Sequence, residues 1–217
     1  MKMCGKGKKS FILHNTFGSI FFRMIFVRFV ETFFVMNPTE ENPVLSRQVI
    51  EMITVAHEYC LFFEQVEKYS AQEIFSYFQK IGPLLYLKGA VLPANVEADP
   101  EFMERFVTEE QWESVFKTLR EKFGDDDVYF VHDHNYDSEE VSLSDNMSDI
   151  YQDMKDFVML YQKAPMQSKR CAVAELQKLF ENHWGLRILQ ALTNIHVKIY
   201  RNSIDPELFS DDELSGE

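Results

Sequence analysis

A chain of 217 residues, 46% hydrophobic and 26% charged, is long enough to bury one core without disulfide or metal staples, and it fits one domain, two at most. Its three cysteines, Cys4, Cys60 and Cys171, are widely spaced with no CxxC pair, which excludes a disulfide framework or a zinc ribbon and suits a reducing, cytoplasmic setting. A formal net charge of -13 leaves no footprint for neutralising phosphates, so no nucleic-acid partner is expected, and it repels anionic membrane surfaces as well.

Residues 1–35 do not share that character. They hold six Lys or Arg against one Glu, a balance of +5 that leaves the rest of the chain at -18, and eight of the twenty Phe. A basic start (Lys6, Lys8, Lys9) before an apolar run suggests a signal peptide, yet no small-residue cleavage site follows. A spanning helix needs about 20 apolar residues, and His14, Asn15, Arg23, Arg28 and Glu31 interrupt the stretch. An amphipathic anchor on Phe22, Phe26, Phe29 and Phe33 lacks a clean polar face opposite. Residues 1–35 are therefore expected to be extraneous, or at most weakly anchoring, with Met36 as the natural start and no membrane partner if so. Residues 36–203 form the expected helical domain, and 204–217 an acidic disordered tail.

The first helix is predicted from Ser46 to about Lys68. Val49, Met52, Ile53, Ala56, Tyr59, Cys60, Phe63 and Val66 recur at helical spacing, with Ser46 as N-cap. Ser70 and Glu73 form a capping box for a second helix striped by Ile74, Phe75, Phe78 and Ile81. Gly82-Pro83 is expected to kink or end it, since proline cannot donate to the ladder. Thr108 and Gln111 open a third helix, with Val115, Leu119 and Phe123 inward and Gly124 as its C′ residue. Residues 125–142 are acidic and aromatic without helical period and are expected to be irregular, with a short extended piece at Val128–Val131. A fourth helix runs from Ser144 to Gln162 on Met147, Ile150, Tyr151, Met154, Phe157, Val158 and Tyr161. A fifth spans 166–183, and His183-Trp184-Gly185 marks a break before a last helix over Leu186–Arg201. Five to six amphipathic helices with one long acidic loop make an all-α, single-domain bundle. Cys60 and Cys171 lie on apolar stripes and read as buried thiols.

Two groups of residues could carry chemistry. In SLSDNMSDIYQDMKDF, Asp149, Asp153 and Asp156 lie about 40°, 80° and 20° around the helix from Asp145, so four carboxylates share one stripe almost opposite the apolar one. The bland reading is a solvated face. Like charges at this spacing repel, however, so the stripe could also await a basic partner or a cation. His132, Asp133 and His134, with Asp137 after them, are the second group, imidazole and carboxylate being metal ligands in general. Adjacent loop positions rarely aim several ligands at one point, and no HExxH or CxxC accompanies them. His57, His183 and His196 read as hydrogen-bonded helix residues. No GxSxG, P-loop or GxGxxG occurs, and no cofactor is expected.

LSDNMSDIYQDMKDFVMLY at Leu143–Tyr161, together with AVAELQKLFENHWGLRILQALTNIH, resembles an uncharacterised bacterial family called domain of unknown function 5063. The resemblance spans about residues 45–200 and implies a helical fold and a cytoplasmic bacterial origin; it implies no activity. The function expected from the residues is a non-enzymatic helical protein-interaction module, with Asp145, Asp149, Asp153, Asp156 and the adjacent 125–142 loop meeting an unidentified, basic protein partner. The alternative is a metal-dependent enzyme with His132, His134, Asp145 and Asp149 at the loop–helix junction.

Overall fold

The computed structural model describes residues 42–132 and 138–200, with backbone only at His132. The expectations for residues 1–35 and 204–217 lie outside these. Within them the chain is an all-α domain with one small hairpin. The elements are α1 (Arg47–Phe63), α2 (Ala71–Ala90), α3 (Glu109–Phe123), strands β1 (Val128–His132) and β2 (Ser138–Ser142), α4 (Leu143–Tyr161), α5 (Met166–Leu179) and α6 (Gly185–Tyr200). A single π-turn, Phe180–Trp184, joins α5 to α6, so the last two helices can equally be counted as one rod. No helix among the described residues is long and apolar enough to cross a membrane.

The caps form where the side chains call for them. Ser46 accepts from the amide of Val49 at 3.4 Å, and the boxes at Ser70/Glu73 and Thr108/Gln111 are both closed. Each satisfies orphan donors that a bare helix end would leave open. Gly124 ends α3 at φ +52°, a conformation that a side chain would strain.

The centre of the bundle is α4, with fourteen of its nineteen residues buried. It packs against α1, α3, α5 and α6. Met147, Ile150 and Met154 are fully enclosed with Met52, Tyr59 and Leu119. Polar groups of buried rings find carbonyls: Tyr59 Oη donates to Met147 O at 3.1 Å, and Tyr161 Oη to Val44 O at 2.8 Å.

Three expectations need correction. Helix α2 does not end at Pro83. It runs through to Ala90, because Pro83 faces solvent while Phe78, Ile81 and Leu85 bury the opposite side. Water can satisfy the carbonyl that the proline leaves unpaired. The segment 125–142 is not an irregular loop throughout. Val128–His132 pairs antiparallel with Ser138–Ser142, Phe130 lying opposite Glu140. Asp127 staples the hairpin's base to α4: its Oδ1 accepts the Ser144 amide at 2.7 Å, and its Oδ2 accepts the Ser142 and Ser144 hydroxyls at 3.0 and 2.8 Å.

The third correction is at residues 183–185, where the rod widens into a π-turn instead of breaking. A Cβ on Gly185 would sit 2.3 Å from the carbonyl oxygen of Phe180, so glycine is what lets the wider turn close. Trp184 is fully buried, with its indole Nε1 donating to Leu176 O at 3.0 Å. It lies on Gly89 of α2, where a Cβ would come within 2.3 Å of the ring.

Candidate functional site

The four aspartates do share one stripe of α4, but the stripe is not a solvated face. Asp153 is 4% exposed and Asp156 6%. Three segments close over them: the connection leading into α3, the first turns of α3, and the π-turn with the start of α6. A buried carboxylate is tolerated only with partners, and each segment brings donors.

Asp156 holds the connection. Its Oδ1 accepts the backbone amides of Phe106 and Val107 at 2.7 and 3.0 Å, and its Oδ2 accepts from Arg105 Nη1 at 3.2 Å. Arg105 also reaches Glu175 of α5 through Nη2 at 3.0 Å. The space enclosed by Arg105, Asp153, Asp156 and Glu175 amounts to a cavity of about 20 Å³, enough for a single water.

Asp153 pairs with the π-turn, its Oδ2 lying 2.6 Å from His183 Nδ1. Burial pushes its carboxyl up, against the opposing pull of His183 and Arg105. Asp149 receives the Trp112 indole N–H on Oδ1 at 2.9 Å and Arg187 Nη2 on Oδ2 at 2.7 Å. His183 Nε2 is 3.4 Å from the same Oδ2. Burial alone would raise Asp149, but the hydrogen bond from His183, the Arg187 charge and the Trp112 donor together hold it below the usual carboxylate range. Asp145, at the solvent end with 43% of its side chain exposed, is 3.4 Å from Arg187 Nη1. Its pKa is raised by partial burial and then by Asp149.

His183 stands between Asp149 and Asp153, which raise its pKa from 6.5 to about 9. Arg187, one turn further along α6, gives Nη1 to Asn146 Oδ1 at 2.9 Å and Nε to His183 Nε2 at 3.0 Å. Asn146 in turn donates to Tyr129 Oη on β1 at 2.6 Å. The cluster therefore runs from the hairpin to α5 along one side of α4, with cations and anions alternating.

The sequence reading named the carboxylates and missed their donors. Arg105, Trp112, His183 and Arg187 come from three separate stretches. Only the i, i+4 pair His183/Arg187, on the face that follows a His-Trp-Gly step, was a usable signal. Lys155, the basic residue nearest in sequence, pairs elsewhere, with Glu64 of the α1 C-cap. The other proposed metal ligands are not placed with Asp145 and Asp149: His134 lies outside the described residues, as does the side chain of His132. Among the described residues no three His, Cys, Asp or Glu side chains are grouped to hold a metal ion.

Two of the stretches that build the cluster, Leu143–Tyr161 and the segment from Glu175 to Arg187, are also the ones that carry the family resemblance. A solved structure, protein BF1032 from Bacteroides fragilis, is similar to this chain at 29% identity and a TM-score of 0.63, over 73% of this chain and 96% of that one. No curated protein matches. The family described as domain of unknown function (DUF5063) matches residues 43–201. With well over half of its length inside that match, this chain belongs to the DUF5063 family.

Proposed function

We propose that the protein is a non-enzymatic interaction module. It offers a basic partner the outward side of the β1–β2 hairpin and the solvent edge of the α4 stripe at Asp145. The supporting observation is a division of labour among polar groups. Asp149, Asp153 and Asp156 are taken up by donors of the same chain, and the space beside Asp153 and Asp156 holds about one water. Just before α4, by contrast, Phe130 is 65% exposed with Val128 on the same side of the strand. Glu140 stands directly opposite Phe130, and Glu139 beside it is exposed too. An exposed aromatic with a carboxylate facing it on the paired strand suits a segment that brings both an apolar side chain and Lys or Arg.

In this reading the three inner aspartates shape the surface instead of touching the partner, and the protein works in the bacterial cytoplasm. The test is affinity purification from native cells with the natural chain and a Phe130→Ser/Glu140→Lys variant. Loss of a captured protein, with the melting temperature unchanged, supports the module. An identical set of captured proteins removes it. Elemental analysis of the purified chain serves the rival: a stoichiometric transition metal that disappears in His134→Ala would favour the metal-dependent enzyme.

A further inference from the structure

One atom of the cluster has two partners that it cannot serve together. Nε2 of His183 lies 3.0 Å from Arg187 Nε, which is always a donor, and 3.4 Å from Asp149 Oδ2, which in its ionised form only accepts. Its other nitrogen, Nδ1, is committed to Asp153 Oδ2 at 2.6 Å. With His183 neutral, Nδ1–H donates to Asp153 and the Nε2 lone pair accepts from Arg187. With His183 charged, Nε2 carries a proton too, and two N–H groups cannot face each other at hydrogen-bond distance.

We propose that His183 is a proton-operated selector that decides whether the Arg187 Nε–H stays docked on the imidazole and so how the guanidinium is turned on the α4 stripe. A proton taken from solvent onto Nε2 forms an Nε2–H bond to Asp149 Oδ2 and breaks the Arg187 Nε–H bond to that nitrogen. The imidazolium then shares Asp149 Oδ2 with Arg187 Nη2, 2.7 Å from it, and the guanidinium turns its Nε–H away from the ring. Deprotonation restores the lone pair and re-docks it.

The groups facing His183 fit both states. From α4 come Asp149 and Asp153, with Asp145 beyond them at the solvent end. From α6 comes Arg187. From the connection into α3 comes Arg105, 3.8 Å from Asp153 and shared with Glu175 of α5. The α3 group, the Trp112 indole, is neutral and holds Asp149 Oδ1 in either state. The carboxylates favour the proton and Arg187 opposes it, which sets the exchange on the alkaline side of free histidine. The π-turn is the element that makes the contest possible, since it carries His183 to Asp153 while Arg187 remains one turn along α6.

The experiment is a pH series by NMR on the full, uniformly labelled chain from about pH 5.5 to 10.5, with His183 assigned by its absence in His183→Gln. The expected result is one shared midpoint for the His183 ring nitrogens and the Arg187 Nε–H signal. Above it the Nδ1–H tautomer is present and the Arg187 Nε–H is protected; below it that protection is lost. Arg187→Lys keeps the positive charge but not the Nε–H, so the His183 midpoint should rise by about half a pH unit or more. An Arg187 signal that ignores the His183 titration overturns the proposal. So does an Arg187→Lys midpoint equal to that of the natural chain, or a His183 that does not titrate in this range.

Discussion

Replacing Asp156 by alanine should damage this protein far more than the same change at Asp145, although both belong to one stripe. Asp156 accepts two backbone amides, Phe106 at 2.7 Å and Val107 at 3.0 Å, and one Arg105 nitrogen at 3.2 Å. Alanine leaves both amides without a partner in a partly buried segment, and an unsatisfied donor costs about 1–3 kcal/mol. The Arg105 side chain is 46% exposed, so its ion pair adds less than about 1 kcal/mol. The expected loss is on the order of 2–4 kcal/mol, or roughly 5–15 °C in melting temperature for a domain of this size. Asp145, half exposed, should cost under about 1 kcal/mol, mostly through the α4 dipole. Thermal melts of both variants give the contrast, and hydrogen exchange at the Phe106 and Val107 amides locates it. The reasoning fails if Asp156→Ala melts with Asp145→Ala and both amides stay protected, because water or another acceptor would then be holding the segment.

His183 is raised from 6.5 to about 9, so the folded state binds its proton more tightly than the unfolded chain. Its stabilisation is therefore complete below about pH 6.5 and disappears as the pH climbs through 9. Melting temperatures measured from pH 6.5 to 9.5 should fall, and His183→Gln should flatten the slope; an equal slope in the variant would assign the loss to other groups. Gly89→Ala puts a Cβ 2.3 Å from the Trp184 ring and 2.6 Å from Phe180, and overpacking of this kind costs about 1–3 kcal/mol. Denaturant titration should show the midpoint lowered, and an unchanged midpoint would mean that α2 and the π-turn separate freely. Cys60 is buried and its thiol is pushed up to about 12 by burial, while burial also raises Cys171. Neither should react with a thiol reagent until the protein unfolds. Labelling at either position in the native state would contradict the packing.

The sequence exposed features with a local cause and hid those made by distant segments. The capping boxes at Ser70 and Thr108, the glycine stop at Gly124 and the apolar period of α1 and α4 are read from neighbouring residues and each formed, although α1 ends at Phe63, short of the expected Lys68, and Val66–Lys68 is a separate 3-10 turn. The hairpin escaped because its second strand, Ser-Glu-Glu-Val-Ser, has one apolar residue and no Asn-Gly turn; its order rests on Asp127 and on Tyr129 reaching Asn146. Continuation through Pro83 depended on which side of α2 meets the core. The acidic stripe was visible as geometry, yet its burial depends on Arg105, Trp112, His183 and Arg187, which lie 37 to 51 positions away (Asp149–Trp112, Asp156–Arg105) or 30 to 42 (Asp153–His183, Asp145–Arg187). A helical wheel shows where charges sit on one helix and says nothing about what a neighbouring helix brings to them.

A π-turn is one residue more than an α-helix needs to cover the same height, and each residue turns the chain by about 100°. The buried stripe of α6 (Ile188, Ala191, Ile195) is therefore offset by more than a quarter turn from where the α5 stripe, Cys171, Val173 and Leu176, would have carried it. Deleting a single residue between Phe180 and Trp184 would give a straighter and locally more regular rod. It would also wind Ile188 away from the core, carry Arg187 off the aspartates and turn polar side chains inward. This stretch should therefore tolerate substitution better than any change in length, since a substitution alters one contact and a deletion re-indexes a whole helix.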